Sequence, residues 1–509
     1  MQAHYWGGGW ILRILGCMRL SSIVIRAATL AAALVLSVGP ALAQSATLSP
    51  FLLVSTPSLG SGNSGQLVAV ADVSPESAWA VGNQQSGSEP LMEAWSNGAW
   101  HQVSVPLPIS QQTTAELSDV TAVSPSSAWA VGYFDNQSGS AQPLVEKWNG
   151  QHWRAVTTPS TSVSSTNTLS AISADTPSDV WAVGSYQSQA GVTQTLVEHW
   201  QGSGWTIVTS PNPDPNNTAV LTSVAALSPT DVWAAGYWMD STTGNDEPLV
   251  EQWNGSVWNI IQFPVPDLGG DTYITAIAVA SANDIWAVGD SGSGIGPSSA
   301  TGSFIGQWNG TQWTLDPTPV DGSEQVSQLN GVAVVSATLA VAVGALGNQP
   351  LIEMWNGSRW VLGAAPSAGD AGQYVFLGAA ASSAQDIWIV GNATNAQGNT
   401  EPVAAHSGLL PKPAASSTSR PQKQPSAGAG STIGSVGIVV LLVLLGALYL
   451  GYKYYLKSKA GKDDDSFGGG SGGGSDLGPG GYGELPAWKT TGRPPPGSAV
   501  PRRDTRPRG

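Results

Sequence analysis

Trp129-Ala-Val-Gly132, Pro143-Leu-Val-Glu-Lys-Trp148-Asn-Gly150, Trp153 and Pro159 follow one another in the stretch Leu117 to Pro159, and most of the chain copies that stretch. Its first Trp recurs as Trp79, Trp181, Trp233, Trp286 and Trp388, with Val341 in the sixth of seven places. Twelve positions before each of these stands an apolar residue: Leu67, Leu117, Leu169, Leu221, Ile274, Leu329 and Phe376. A second Trp recurs at Trp95, Trp148, Trp200, Trp253, Trp308 and Trp355. A third follows five residues later at Trp100, Trp153, Trp205, Trp258, Trp313 and Trp360, and a Pro lies six residues beyond each, from Pro106 to Pro366.

A period of about 50 residues is that of propeller blades. Each unit reads as four short strands: the Ala/Val/Leu run after Leu117, the Trp-Ala-Val-Gly run, Leu144 to Trp148, and a fourth opened by Trp153. Asn149-Gly150 between the last two suits a tight hairpin in which both central residues take positive φ. Four antiparallel strands make a blade, and one blade cannot bury both its faces, so the recurring Trp residues are expected to join neighbouring blades. The seventh unit stops after Glu401-Pro-Val-Ala-Ala-His406, without a fourth strand. Phe51-Leu-Leu-Val-Ser-Thr-Pro57 has its aromatic six residues before its Pro, as Trp153 stands before Pro159. The expected fold is therefore all-β: a seven-bladed β-propeller of four-stranded antiparallel blades, closed by the N-terminal strand, which removes two free sheet edges.

A Gly-ended second strand, a third strand, then a Trp opening the fourth resembles kelch-type propellers, with one Gly (Gly132, Gly184, Gly236) where kelch has a pair. The Trp-Asn-Gly-x-x-Trp flavour is similar to tectonin-type propellers. The resemblance covers Phe51 to about Leu410 and implies a recognition scaffold rather than an enzyme.

Residues 1–43 read as a signal peptide, with Met18 as an alternative start: Arg19 and Arg26 precede the apolar run Ala27 to Val38, and Ala41-Leu-Ala43 fits signal peptidase. Leu15-Gly16-Cys17 is a poor lipobox, because the apolar core follows the Cys. Residues 44–410 are the extracellular propeller, and 411–431 a Pro/Ser-rich stalk. Residues 432–452 have the length and apolarity of a transmembrane helix. Lys453, Lys457, Lys459 and Lys462 mark its cytoplasmic side, so the expected topology is single-pass type I in the cell membrane. Residues 453–509 are a disordered cytoplasmic tail in which Pro494-Pro-Pro496 and Arg502, Arg503, Arg506 and Arg508 offer a weak partner site.

Cys17 is the only cysteine, so the mature chain has no disulfide, thiolate nucleophile or Cys-ligated metal. Between Gln44 and Leu410, 28 acidic residues face three basic ones, Lys147, Arg154 and Arg359. That charge repels phosphate backbones, and nucleic acid is not an expected partner. His4, His101, His152, His199 and His406 lack metal-ligand spacing, and Asp240-Ser-Thr-Thr-Gly244-Asn-Asp246 lacks EF-hand spacing, so neither a metal nor a cofactor is expected. The sequons at Asn254, Asn309 and Asn356 coincide with the hairpin Asn-Gly.

Only the loop between strands two and three changes length, from 11 residues (Gly344 to Trp355) to 19 (Gly289 to Trp308). Strand alternation puts these loops on one face, and variable loops on a rigid scaffold are where binding usually lives. Trp238 is the one Trp of the ectodomain outside the repeat frame. With Tyr237 beside it, Tyr133, Phe134 and Tyr186 at equivalent positions, and Asp135 and Asp240 close by, it marks a candidate glycan- or protein-binding sector on blades two to four. The competing reading is that these rings continue the packing between blades. Glu93, Glu146, Glu198, Glu251 and Glu353 recur too often for one active site and read as framework hydrogen bonders, and Asp179, Asp231, Asp284 and Asp386 as turn residues before strand two.

The expected function is that of a membrane-anchored extracellular binding scaffold, not an enzyme. A glycoside hydrolase or lyase using two rim carboxylates from Asp135, Asp240, Asp246 and Glu247 is the alternative, and a structural cell-surface component is the second. Sialidase chemistry is disfavoured by the scarcity of Arg and the missing Ser-x-Asp-x-Gly-x-Thr-Trp box, and a galactose-oxidase-like copper site by the lack of a Cys.

Overall fold

The computed structural model describes residues 50–408, apart from residues 61, 85–88, 109–113, 163–164, 267, 269, 293–299, 321–324, 368–372 and 396–397. The expected signal peptide, stalk, membrane helix and tail lie outside the described residues. Among those residues, no helix is long and apolar enough to cross a membrane.

The strands form seven four-stranded antiparallel sheets. Blade two is representative, with strands Ala115–Ser124, Ser127–Asp135, Ala141–Trp148 and Trp153–Ala155. First strands of successive sheets touch in a closed cycle, from Gly65–Ser74 round to Tyr374–Ser383 and back. They therefore surround a common axis, and the fourth strands lie outermost. Phe51–Val54 pairs antiparallel with Thr400–Ser407, Phe51 opposite Ser407 and Val54 opposite Ala404, so the N-terminal strand completes the last blade as expected.

Each blade's strand-two Gly answers to one close approach. Strand one bulges beside it, where the register slips between residues such as Leu117 and Asp119. The strand-one carbonyl there turns onto the neighbouring strand, and a Cβ added at Gly82, Gly132, Gly184, Gly236, Gly289, Gly344 or Gly391 would lie 1.9–2.1 Å from that oxygen. No side chain fits.

The tryptophans do join the blades. Trp129 lies 5.0 Å from Trp200 and 5.5 Å from Trp205 of blade three. Trp79, Trp181, Trp233, Trp286 and Trp388 make the same two ring contacts with their next blades. Such pairs contribute about 0.5–1.5 kcal/mol each beyond the area they bury. The interface between blades six and seven replaces all three tryptophans: Val341 packs in one cluster with Phe51, which takes the place of the third Trp, and Ser407 takes the place of the second.

The repeated glutamates are fully buried between blades. Thr158 donates to Glu198 and Ser210 to Glu251 at 2.7 Å, in each case from the residue before the closing Pro of the preceding blade. Where that residue is Phe263, the next blade carries Gly306, whose added Cβ would meet the Phe263 ring at 2.6 Å. Where it is Ala365, the facing residue is Ala405. Thr56 instead donates to the Pro402 carbonyl, and neither carboxyl oxygen of Glu93 or Glu146 has a hydrogen-bond partner among the described residues. The framework role thus holds for Glu198 and Glu251 and not for Glu93 and Glu146.

Two local expectations are corrected. Both hairpin residues have positive φ only at Asn97-Gly98. In the other Asn-Gly hairpins only the Gly does, and the Asn closes a longer loop with its side chain: Asn149 Oδ1 accepts from the amides of Gln151 and His152 at 3.0 and 2.9 Å. The repeated Asp residues hold the third strand rather than a turn. Asp179 and Asp386 bond His199 and His406 at 2.7 and 2.8 Å, while Asp231 and Asp284 accept from Gln252 and Gln307. A charged acceptor two residues before the Trp can reach the side chain opposite that Trp, and a turn amide cannot compete with it.

Candidate functional site

The second strand runs past its Gly to Asp135 in blade two, Gln187 in blade three and Met239 in blade four. Tyr133, Phe134, Asp135, Tyr186, Tyr237 and Trp238 are therefore strand residues rather than loop residues, and alternation turns neighbours to opposite sides. Phe134 packs on the interface of blades one and two, Tyr186 on that of two and three, and Trp238 on that of three and four. Tyr237 turns the other way, 4.8 Å from Tyr273 of blade five and perpendicular to it. All five rings are half-buried, and Phe134, Tyr186, Tyr237 and Trp238 join packing between blades while keeping part of their surface in solvent. The structure does not gather them into one patch. Asp240 is spent within its own loop, its Oδ1 accepting from Thr242 N at 2.8 Å, and that bond holds its carboxyl below the usual range.

Two grooves of about 610 Å³ open beside these rings on the loop-rich side of blades two and three. The first is walled by Phe134 with Asn136, Gln142, Thr158 and Ser160. The second is walled by Tyr186 with Thr161, Ser162, Gln187 and Gln189. They adjoin at Ser160 and Thr161, in the link from blade two to blade three.

That link is held from below. Gln142 accepts from Ser160 Oγ at 2.8 Å and donates to the Ser165 carbonyl at 3.0 Å. Asn167, fully buried, donates to the carbonyls of Ser162 and Ser165, both at 2.9 Å, and accepts from Thr161. Gln194 holds the next link through Pro215 and Asn217 in the same way. A loop wall fixed by buried amides needs little ordering when a ligand arrives. Sequence reading missed these amides because Gln142, Asn167 and Gln194 do not recur in every blade.

Further round the same side, carboxylates cluster. Asp246 N donates to Asp271 Oδ1 at 2.9 Å, and both carboxyls act on the Tyr273 hydroxyl. Burial raises the Asp246 carboxyl, with Asp271 adding to the effect, and burial pushes Asp290, opposite Tyr273 on strand two, up to about 6. Among the described residues no group of His, Cys, Asp and Glu is placed to hold a metal ion.

No family model and no curated protein matches the sequence. Similar solved structures exist at low identity. A protein of unknown function from Dyadobacter fermentans is 8% identical with a TM-score of 0.39, over 71% of this chain and 98% of that one. The Trypanosoma rangeli sialidase in complex with sialic acid is 11% identical with a TM-score of 0.37, over 70% of this chain and 57% of that one. A structure named YjhT is 8% identical with a TM-score of 0.37, over 70% and 96%. The likeness is one of fold. It does correct one expectation: with sialidases among the similar structures, the reading of this chain as a non-enzyme does not stand.

Proposed function

We propose that this chain is a kelch-like extracellular propeller, anchored in the cell membrane by residues 432–452, whose loop-rich side over blades two to four binds an extended neutral glycan. The observation that carries the reading is the pair of adjoining grooves, each with one half-buried aromatic ring beside amides and hydroxyls on a preorganised wall. Rings stack on the apolar faces of sugars, and amides pair with their hydroxyls. Tyr133, Asp135, Tyr237, Trp238 and Asp240 stand outside the lining of both grooves, and an extended protein segment is the other ligand this surface suits. The excess of acid over base disfavours anionic polymers.

On an array of neutral cell-surface polysaccharides the protein is expected to bind. A Tyr186→Ala, Gln189→Ala variant should lose about ten-fold in affinity, the worth of one stacked ring and one hydrogen bond, and stay folded with a modestly lower melting temperature, because the Tyr186 ring also packs between blades two and three. Binding to no glycan, or binding that ignores the two substitutions, would sink the reading.

A second reading rests on the Asp246–Asp271–Tyr273 cluster. A carboxyl raised by burial beside a second carboxylate is the asymmetry on which glycoside hydrolysis depends. Turnover of a fluorogenic glycoside panel that Asp246→Asn abolishes would support it, and no turnover by the unaltered protein would end it.

A further inference from the structure

One position on the third strand lies opposite the strand-two Trp, or opposite Val341 in blade six. It is filled by Lys147, His199, Gln252, Gln307, Met354 and His406 in blades two to seven, and by Ala94 in blade one. Three of these side chains lie against their rings. His199 stacks on Trp181 at 3.7 Å, His406 sits 4.5 Å from Trp388, and the Lys147 ammonium lies 4.3 Å from the Trp129 ring and 4.5 Å from that of Trp200. Ala94 packs at the cluster that holds Trp79 but is too short to cover the ring as these side chains do. Trp79 is accordingly 6% exposed, while the other five strand-two Trp residues are 0% exposed.

The uncovered ring opens into a groove of about 690 Å³ between blades one and two, bounded by Trp79, Ala94, Trp148, Trp153, His101 and His152. It lies at the strand-three-to-four hairpins, on the side away from the loop-rich grooves, as its Gln151 and Pro125 walls show. The ring pair inside it repeats the pair that holds Lys147. Trp79 and Trp148 are 4.9 Å apart at 58°, and Trp129 and Trp200 are 5.0 Å apart at 59°.

We propose that the blade one–two groove binds a lysine side chain presented by a partner polypeptide. Blade two supplies the intramolecular precedent: the same two indole faces already hold an ammonium. A cation over indole is attracted by the negative face of the ring, more strongly as it is desolvated, and the acidic surplus of the propeller draws basic partners towards it. The groove is far larger than one ammonium group, and Ser96, Ser104 and Gln151 along it offer hydroxyl and amide partners for the backbone of the segment that carries the lysine.

The full-length protein is titrated with the peptide Ser-Gly-Lys-Gly-Ser and with its Nε-acetylated form, by indole fluorescence and by calorimetry. The lysine peptide should bind saturably in the millimolar range, and acetylation should weaken it about ten-fold, as loss of a cation–π contact requires. Ala94→Lys should abolish binding by covering the ring from within, with a melting temperature equal to or above that of the parent, since blade two accepts the same residue. Absence of saturable binding, equal binding of the acetylated peptide, or binding that survives Ala94→Lys would each overturn the proposal.

Discussion

Between about pH 6 and pH 9 the melting temperature of the protein is expected to fall steeply. Glu93, Glu146, Glu198 and Glu251 are fully buried, and burial pushes each carboxyl up to about 8 from an ordinary 4.5. Asp72 and Asp119 follow to about 7, both mainly through burial. A carboxyl raised on folding binds a proton that the unfolded chain has released. Its contribution is fully present below about pH 4.5 and is lost as the pH climbs through its folded value. Each such glutamate can forfeit on the order of several kcal/mol across the window. Exposed carboxylates are already ionised at pH 6, so general charge repulsion does not grow over this range, and the decline belongs to the buried groups. Glu93→Gln and Glu146→Gln keep shape and neutrality and should flatten the slope measured by calorimetry. A melting temperature that stays level from pH 6 to pH 9, or a slope indifferent to both substitutions, would show that these carboxyls are ionised in the fold.

The blade count, the four-strand unit and the closing strand were all legible because Trp, Gly and Pro recur in a fixed frame. The frame does not say which Trp meets which. Val341 and the missing fourth strand of the seventh unit read as separate lapses along the chain, yet they belong to one interface, where the Phe51 ring fills the space beside Val341. The candidate site was legible only in part. Tyr237 and Trp238 are adjacent in sequence and serve different interfaces, since the strand continues past its Gly and alternation separates them. Ala94 escaped notice for a different reason: reading along the chain registers residues that are present, and its meaning lies in what the other six blades carry at the same place. Comparing the repeats column by column would have exposed it, as it would the exchange of Glu for Gly306 where Phe263 intrudes.

Removing the closing strand should have the other large effect. Deleting Phe51 to Pro57 strips Thr400–Ser407 of its outer partner and takes Phe51 from a cluster with Val341, Ile352 and Phe376. It also removes the hydroxyl that Thr56 donates to the Pro402 carbonyl, a bond between residues 346 positions apart. Loss of the ring alone, tested by Phe51→Ala, should destabilise by about 3–5 kcal/mol, the usual range for a buried aromatic. Deletion should do more, because it leaves a bare sheet edge that pairs readily with other chains. The expected result is a broad melt at lower temperature together with self-association in sedimentation. A peptide of the deleted sequence, added in excess, should restore a sharp transition by re-forming the strand. A deletion variant that stays monomeric and melts with the parent would mean that six complete blades and three strands hold the ring by themselves. The tryptophan interfaces, which the deletion leaves untouched, would then account for closure.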